Sequence, residues 1–460
     1  MRKDSNLLKY TYTLKFLRDE EGDYRYLRFK VKRGTKSISI SYEYDEECIV
    51  DIGVFGPGSL DLIRANFRGW SGSNRKRIYL GEKWSTPGYI AEPIEEGVWH
   101  VILGLYKIPE DGCKVHVNIM LLEDSVHSIS YVSEPVNSAT CKRSLQEGGW
   151  LKGDLHVHTM HSDGDSEIHE IVEWARHLGL DFIGLTDHNT ISHLREIRSK
   201  ELLVIPGEEL TTYRGHMNVL GVNKWVDFRI KCENDLLRIL SYINREGFLP
   251  IVNHPKSLGP KWEWGHIEEI GFLEVWQGIW EFNNYESLRL WDMLLSKGFH
   301  VFAIGGSDVH RLKTLDFVFK LSTPTTWVYT EKLDVAEILA GIRNGKVVIT
   351  EGANGPFINY YLINRGKRFR MGDSLTPGKY KLVTYVERGK GSKLRIITAR
   401  GIIYMTDITE NHASHSIDVN LNEEDVFLRL ELVNPGPYTD ELYSKEIAIK
   451  ALTNPIFIIP

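Results

Sequence analysis

The chain has 460 residues, and its 56 Lys and Arg side chains against 62 Asp and Glu give a formal net charge of −6. Apolar residues make up 42% and charged residues 26%, which is typical of globular proteins rather than disordered ones. The negative charge argues against capture of nucleic acid or of an anionic membrane, because both need a basic face. At roughly 100–200 residues per domain, the length predicts two to three domains.

The sequence shows no membrane or secretion signal and no cysteine motif. No apolar run approaches the ~18 residues that cross a bilayer, and the first residues lack the apolar core of a signal peptide. The four cysteines are scattered, without a CxxC pair: Cys48, Cys113, Cys141 and Cys232. This usage predicts a cytoplasmic protein with free thiols rather than a disulfide framework.

Strand-like alternation dominates residues 1–148, for example in YLRFKVKRG (26–34) and SISISYEY (37–44). Gly, Pro and Asp separate the runs, and no helical pattern intervenes. Short strands in this arrangement predict a β-sandwich-like domain. Residues 352–460 return to the same texture, in FINYYLI and DVFLRLELVN, and predict a second domain of this kind.

Between these segments, residues 149–351 alternate strand and helix patterns. GDLHVHT and DFIGLT are typical of short strands, whereas SEIHEIVEWARHLGL places Ile168, Ile171 and Ala175 on one helical face. NDLLRILSYINREG, ESLRLWDMLLSKG and DVAEILAGIRNG also indicate helices, and each ends at a glycine. The alternation predicts right-handed βαβ units and a parallel sheet or barrel.

Side chains that bind metals follow the predicted strands of this middle segment. His156 and His158 stand two residues apart on a strand, so both imidazoles face the same way and can reach one ion. Alone, this pair is equally well explained as incidental histidines on a surface strand. Four further clusters follow later strands: TDH (186–188), GEE with RGHMN (207–218), NHP (253–255) and GGSDVH (305–310). Because strand carboxyl ends form the site in parallel α/β folds, the clusters together predict one metal centre.

The ligand types restrict the chemistry of that centre. Imidazole and carboxylate ligands without thiolate suit Zn, Mn or Fe. About nine such side chains are present, more than one catalytic ion uses, so two or three divalent ions bridged by a carboxylate are expected. Such a centre lowers the pKa of a bound water toward ~7 and stabilises the attacking and leaving oxygens. The sequence therefore predicts a metal-dependent hydrolase.

The ordered motifs HVHTMHSDG, LTDHN, PGEELTT, NHP and GGSDVH resemble those of the PHP (polymerase and histidinol phosphatase) superfamily over about residues 150–350. The resemblance implies hydrolysis of phosphate esters on an α/β fold, a distorted (β/α)7 PHP barrel at 149–351 between β-sandwich-like domains at 1–148 and 352–460. ELTTYRGHMNVLG, with RGWSGSNRKRIYL, TPGYI and GVWHVILGLYKI before it, resembles the CehA/McbA-like metallohydrolases within this superfamily. Those relatives include hydrolases of carbamate or ester substrates.

Matched motif by motif, the resemblance implies a ligand set for three ions. The first ion is assigned His156, His158, Glu209 and Asp308; the second Glu209, His216 and His254; the third Asp163, His188 and His310. Glu208 is the rival of Glu209 for the bridging position, and Glu209 is preferred because the family pattern is Gly, any residue, Glu.

Three side chains near these ligands are assigned other roles. Asp187 is interpreted as a proton carrier or as the carboxylate that fixes a ligand tautomer, with a helix N-cap as an equal alternative. His161 is predicted to be exposed to solvent rather than ligating. Lys256, directly after NHP, is the preferred cation for a substrate phosphate. Solvated loop charges are the favoured interpretation of the other nearby cations, Arg214, Arg311 and Lys313.

The predicted reaction is attack of a metal-bridging hydroxide on a small-molecule phosphoester. A carbamate or ester hydrolase using the same site is one alternative. Another is a carbohydrate- or protein-binding module with a non-catalytic metal site, in which aromatic residues of RGWSGS and EKWSTPGY bind the partner. A PHP exonuclease acting on DNA ends ranks lower, because the chain has no basic stripe and no flanking domains of polymerase size.

Overall fold

The computed structural model describes residues 8–124, 143–197, 202–314 and 316–460. Its first segment consists of eight strands: β1 (Leu8–Phe16), β2 (Tyr24–Val31), β3 (Ser37–Tyr44), β4 (Ile49–Phe55), β5 (Phe67–Gly72), β6 (Arg77–Gly81), β7 (Gly97–Lys107) and β8 (Cys113–Leu122). They form two four-stranded antiparallel sheets, in the orders β1-β8-β3-β6 and β2-β7-β4-β5.

The two sheets share one apolar core. Alternate residues of β8 are buried, and the residues buried from β3 and β4 include Ile38, Ile40, Val50 and Ile52, so the period of two gives each sheet one apolar face. Each inner face is covered by the other sheet.

Two of the cysteines lie in this core as a pair. Cys48 and Cys113 are buried, with their Cα atoms 6.2 Å apart, and form a disulfide. The prediction of free thiols is therefore wrong for these two residues, because folding brings the start of β8 beside the turn before β4. Cys232 is free and exposed, and Cys141 lies outside the described residues.

The middle segment alternates strands and helices: β9 (Arg143–Val157), α1 (Ile168–His177), β10 (Phe182–Leu185), β11 (Leu203–Thr212), β12 (Gly215–Leu220), α2 (Glu233–Glu246), β13 (Leu249–Val252), α3 (Ile267–Ile270), β14 (Phe272–Gln277), α4 (Asn284–Ser296), β15 (Phe302–Gly306), β16 (Thr325–Leu333), α5 (Val335–Arg343) and β17 (Val347–Thr350). Local signals fix several boundaries. Gly247 ends α2 at φ 75°, and the Asp334 side chain accepts a hydrogen bond from Ala336 N at the start of α5.

Strands β9 to β15 are neighbours in chain order within one sheet. Its two ends approach each other through a parallel bridge between Val157 and Val309. Asp308 N donates to His156 O at 2.9 Å, and His158 N donates to Val309 O at 3.1 Å. The sheet thus curls until the residues after β15 meet the end of β9.

The pairing is not parallel throughout. β9, β10 and β11 are parallel neighbours, as are β13, β14 and β15, but β12 is antiparallel to both β11 and β13. Only Tyr213 and Arg214 join β11 to β12, which is a hairpin connection, whereas a parallel crossover needs about a dozen residues. The expectation of a wholly parallel sheet is wrong at this hairpin.

The last segment is built of strands: β18 (Phe357–Asn364), β19 (Lys367–Phe369), β20 (Ser374–Leu375), β21 (Gly378–Glu387), β22 (Lys393–Thr398), β23 (Gly401–Asp407), β24 (His412–Leu421), β25 (Phe427–Val433), β26 (Ile449–Thr453) and β27 (Ile456–Ile458). One sheet has the order β19-β18-β21-β24. The other strands extend the central sheet through β16, β17, β26, β25, β22 and β23, with Val348 paired to Thr453.

Secondary structure continues across both of the domain limits predicted from the sequence, at residues 148 and 351. β9 runs through the limit at 148, and the β17–β26 pairing joins the chain on either side of the limit at 351. No helix in the described residues is long and apolar enough to span a bilayer.

Candidate metal centre

β9 ends on the first ligand pair. His156 and His158 are buried, and their ring centroids are 5.1 Å apart. Their Nε2 atoms lie 3.1 and 2.9 Å from Asp308 Oδ1, just after β15. The Glu209 carboxylate of β11 lies 3.3 Å from His156 Nε2 and 3.4 Å from His158 Nε2. These four residues form one group whose ligand atoms lie within 4.8 Å of one another.

A second group forms on the other side of the Glu209 carboxylate. His188 Nδ1 lies 2.7 Å from Glu209 Oε2, and His216 Nδ1 lies 3.1 Å from Oε1. His254 Nε2, assigned to this ion from the sequence, is 3.5 Å from the same Oε1 but lies outside the compact group. His216 is the second residue of β12, and an antiparallel strand starts at the edge where its partner β11 ends.

The third group contains Asp163, His188 and His310, together with His158. Asp163 Oδ1 lies 3.3 Å from His310 Nε2 and 3.6 Å from His188 Nε2. The His158 ring stacks on the rings of His310 and His188, with centroids 4.0 and 4.3 Å apart. The structure therefore brings the nine predicted ligands to one place, with eight of them in groups that share His158, His188 and Glu209 and with His254 beside the Glu209 carboxylate.

The donor atoms suit divalent cations. Buried polar atoms are nearly always hydrogen-bonded, yet several in these groups make no hydrogen bond: His156 Nε2, His158 Nδ1 and Nε2, Asp163 Oδ1, Glu209 Oε2, Asp308 Oδ1 and His254 Nδ1. Imidazole nitrogens and carboxylate oxygens with free lone pairs are what Zn, Mn and Fe bind. The arrangement thus fits metal ions by chemistry as well as by proximity.

The carboxylates of the groups are held in the ionised form. Burial alone would raise the pKa of Glu209, but His188, His156 and His216 outweigh it and hold this pKa well below its usual range. Burial likewise opposes ionisation of Asp308, whose pKa is well below its usual range because His156 and other imidazoles stand beside it. Both side chains are ready to bind cations.

Glu274 supports two of the ligands and was not predicted as a site residue. Its Oε1 lies 2.9 Å from His156 Nδ1, and its Oε2 accepts from His254 N at 3.0 Å. A carboxylate on the ring nitrogen that faces away from a metal fixes the tautomer of the imidazole. The sequence signal was a lone acidic residue inside the buried strand FLEVWQ, since buried carboxylates are rare unless they are paired.

Two amides orient the shared carboxylates. Asn253 Nδ2 donates to Glu209 Oε1 at 2.7 Å, and Gln277 Nε2 donates to Asp308 Oδ2 at 2.6 Å. Asn253 precedes a predicted ligand, but Gln277 ends a strand without any metal-ligand motif.

Two ligands adopt a backbone conformation that is uncommon outside glycine. His254 has φ 30° and Asp308 has φ 56°. Left-handed non-glycine residues cost about 1–3 kcal/mol and cluster at functional sites, where the surroundings hold them in place. At Asp308 the support includes Asp154, which accepts from Ser307 N at 3.0 Å and from Ser322 N at 2.7 Å.

Asp187 lies apart from the ligand groups. It accepts hydrogen bonds from Thr159 N and Oγ1, both at 2.8 Å, and from Ser162 Oγ at 2.6 Å, and it faces His193 Nδ1 at 3.1 Å. The side chain therefore holds the turn before Asp163. Asp187 was predicted to hydrogen-bond the ring of a metal ligand. The ring of the neighbouring His188 instead contacts Thr211, whose Oγ1 is 2.5 Å from His188 Nδ1. The N-cap alternative is wrong, because the next helical turn begins only at Ser192.

His161 is buried, so the prediction of an exposed side chain is wrong. Its Nδ1 lies 2.8 Å from Ser192 Oγ and its Nε2 lies 3.1 Å from Glu196. The first segment covers this region, since Gly88 N donates to Ser192 Oγ at 3.0 Å. His161 belongs to none of the three ligand groups.

Lys256 is fully buried beside the centre. Its Nζ donates to Asn284 Oδ1 at 2.8 Å and to Gln277 O at 3.3 Å, and it lies 4.6 Å from the centroid of the Phe282 ring. Burial lowers the pKa of this amine to about 7, against the attraction of Glu274 and other carboxylates. Of the other candidate cations, Arg214 stacks over Trp264, and Lys313 pairs with Glu170.

Residues 154–251 match the model of the PHP domain. An uncharacterized protein of Methanocaldococcus jannaschii is 29% identical over 122 residues, which are 23% of this chain and 69% of that protein. A crystal structure from Bacteroides vulgatus, of a two-domain protein containing a predicted PHP-like metal-dependent phosphoesterase, covers 68% of this chain and 97% of its own, with 17% identity and a TM-score of 0.39. A crystal structure of a protein from Bifidobacterium adolescentis, described as a proposed metal-dependent phosphoesterase, covers 36% of this chain and 91% of its own. The two chains are 16% identical, and the TM-score is 0.26.

The PHP domain match falls on the ligand-bearing strands. It spans β9 to β13 and contains His156, His158, Asp163, His188, Glu209 and His216. The family match and the ligand groups therefore fall on the same part of the chain.

Proposed function

We propose that the protein is a metal-dependent hydrolase that cleaves small-molecule phosphate esters on a cluster of two or three divalent ions. The observation that carries the proposal is the convergence of buried imidazole and carboxylate atoms, many without a hydrogen bond, around Glu209 and Asp308. The PHP domain match supports it, and so does the resemblance of the strand-end motifs to that superfamily. The membership in the CehA/McbA-like subgroup and the (β/α)7 form of the barrel are part of the same proposal.

Three side chains would hold or orient the metal ligands: Glu209, Glu274 and Gln277. Ions held here would lower the pKa of a water molecule and neutralise charge on the substrate oxygens. Glu209 contacts imidazoles of all three groups, so its carboxylate would be the ligand shared between ions held here. Glu274 keeps the metal-facing nitrogen of His156 available, and Gln277 fixes the Asp308 carboxylate.

Lys256 supports a phosphate substrate. With a pKa of about 7, the amine is charged in about half of the molecules at neutral pH, and two of the three N–H donors of its ammonium form bind Asn284 and Gln277. Gln277 also binds Asp308, so the ammonium is fixed next to the first ligand group. A positioned cation of this kind favours an anionic phosphoryl group over an uncharged ester.

The binding-module alternative is weakened by the burial of its aromatic residues. Trp70 and Tyr89, from the runs RGWSGS and EKWSTPGY, are both buried. The Trp70 ring packs against Phe228 of the middle segment, with centroids 4.5 Å apart. Trp70 and Tyr89 are therefore not available to a partner, whereas Trp84, from the second run, is half-buried.

The test is turnover by protein reconstituted separately with Zn, Mn and Fe. We expect hydrolysis of p-nitrophenyl phosphate or bis-p-nitrophenyl phosphate, and we expect His156→Ala to lose this activity. His169→Ala, a matched control whose side chain is 71% exposed, should keep it. Hydrolysis of p-nitrophenyl esters or carbamates alone would contradict the substrate class. Bound metal without turnover of any substrate would contradict the enzymatic proposal itself.

A further inference from the structure

The two-residue connection of the β11–β12 hairpin rests on the first segment of the chain. Tyr213, in this connection, donates its hydroxyl to Asp51 Oδ2 on β4 at 2.8 Å. The two residues are 162 positions apart in sequence, and their hydrogen bond is partly buried.

The first segment forms a socket for this tyrosine, made of Tyr24, Asp51, Gly104 and Tyr106. The Tyr213 ring stacks on Tyr24 with centroids 5.6 Å apart, and it lies 5.4 Å from the Tyr106 ring. A Cβ atom at Gly104 would lie only 2.1 Å from the Tyr213 hydroxyl oxygen. Gly104 is therefore needed for the close approach, and the socket is shaped to this side chain.

The same hairpin positions one ligand group. His216 is the second residue after the connection and pairs with Thr211 across the hairpin. Thr211 Oγ1 in turn lies 2.5 Å from His188 Nδ1, and His216 Nδ1 lies 3.1 Å from Glu209 Oε1. A shift of the hairpin tip would therefore move His216 and the partner of His188 together.

The opposite side of the tip has no room for such a shift in the folded protein. A Cβ at Gly215 would lie 2.6 Å from the backbone of Trp262. The tip is thus held between the Trp262 backbone on one side and the socket on the other. Within the described residues, the Tyr213–Asp51 bond is the only hydrogen bond between the hairpin tip and the first segment.

We propose that Tyr213 and Asp51 are positioning residues for the ion held by Glu209 and His216, so that docking of the first β-segment sets the affinity for that one ion. The inference rests on the proposed function, because it takes these residues to bind metal. Partners that orient metal ligands typically change metal affinity by about 10–100-fold when they are removed.

The experiment measures metal binding rather than turnover. Wild type and variants are titrated with Mn²⁺ by equilibrium dialysis with elemental analysis, and melting temperatures are recorded in parallel. Tyr213→Phe keeps the ring but loses the hydroxyl, and we expect the affinity for one ion to fall about 10–100-fold while the other ions stay bound. Asp51→Asn retains a hydrogen-bond acceptor and should preserve most of the affinity. Tyr10→Phe is the matched control, since it removes an equal 2.8 Å bond, to Lys30, elsewhere in the first segment.

Each result decides the inference. Wild-type stoichiometry and affinity in Tyr213→Phe would overturn it. Equal weakening of every ion, accompanied by a lower melting temperature, would overturn it as well, because it indicates a merely structural role. A third outcome is that the wild type binds metal, Tyr213→Phe loses affinity for one ion only, and neither protein hydrolyses a phosphate ester. That result would support the inference and contradict only the proposed function.

Discussion

Two adjacent glutamates differ completely in their surroundings. Glu209 faces the imidazoles, whereas Glu208, on the other face of β11, accepts from Val226 N at 2.9 Å. Burial raises the pKa of Glu208 well above its usual range, whereas the imidazoles hold that of Glu209 well below it. The alternation of a strand thus gives two adjacent carboxyl groups opposite pKa shifts.

This contrast gives the first prediction. Glu209→Gln removes the charge shared by the ligand groups, and we expect metal affinity to fall by about 100-fold or more, since carboxylate binding to the cations is lost. Glu208→Gln changes a side chain that belongs to none of the ligand groups, and it should leave binding unchanged. Calorimetric titration with Zn²⁺ or Mn²⁺ measures both. Equal losses in the two variants would show that Glu209 has no special role.

Glu274 is predicted to act through the orientation of other side chains. A glutamine at this position cannot accept from both His156 and His254 N, because one of its two terminal atoms becomes a donor. We expect Glu274→Gln to lower metal affinity by about 10–100-fold. The exposed Glu268→Gln serves as control. Wild-type affinity in Glu274→Gln would refute the positioning role.

Proton release is expected when metal binds to the third group. Burial opposes protonation of His310, but Asp308 and Asp163 outweigh it and raise the pKa of this imidazole to about 10. Burial and the neighbouring His310 and His188 instead lower the pKa of His158 to about 4. At pH 7 the metal-free protein therefore carries a proton on His310 and none on His158.

An ion can use His310 Nε2 only after that proton leaves. Affinity should therefore rise as pH increases from neutral toward about 10, by up to tenfold per pH unit for one released proton. Calorimetry at pH 7 in buffers of different ionisation enthalpy measures the released protons. His310→Ala should release about one proton fewer. An affinity independent of pH in this range would be inconsistent with a protonated His310.

At the scale of secondary structure, local signals predicted most helices and the strands that carry ligands. The His156–His158 spacing and the glycine after α2 act within a few residues, so the sequence alone displays them. The contact of His161 with Ser192 spans 31 residues of the chain, and the contact of Glu274 with His156 spans 118. Such contacts have no periodic pattern, which is why they could not be predicted.

Asp154 connects three backbone segments and gives a prediction for stability. Its buried carboxylate accepts from the backbone nitrogens of Ser307, Ser322 and His156 at 3.0, 2.7 and 3.3 Å. Asp154→Ala leaves these buried N–H groups without partners, at about 1–3 kcal/mol each. We expect a loss of roughly 3–6 kcal/mol in the free energy of unfolding, measured in urea. The exposed Asp111→Ala should change it by about 0.5 kcal/mol or less, and a similar small change in Asp154→Ala would disprove the role.

On the scale of the whole molecule, the last segment completes the structure that supports the centre. β26 pairs with β17, and Phe427, Leu452 and Phe457 belong to the same apolar core as strands β10 to β15. A buried ion pair crosses the same boundary, because Arg429 donates to both oxygens of Asp292 on α4 at 2.7 and 2.6 Å.

A chain ending at residue 351 therefore tests whether the predicted limit is a domain boundary. Truncation leaves β17 as an open edge, exposes the core side chains that the last segment covers, and removes Arg429, the ion-pair partner of Asp292. Each large apolar side chain that is exposed costs about 1.5–3 kcal/mol, whereas whole domains are stable by about 5–15 kcal/mol, so a few such losses suffice to unfold the remainder. We expect residues 1–351 to aggregate or to unfold without a cooperative transition, as followed by calorimetry beside the full chain. A truncated protein that melts cooperatively and binds metal with full-length affinity would show instead that the last segment is an independent addition to a self-sufficient centre.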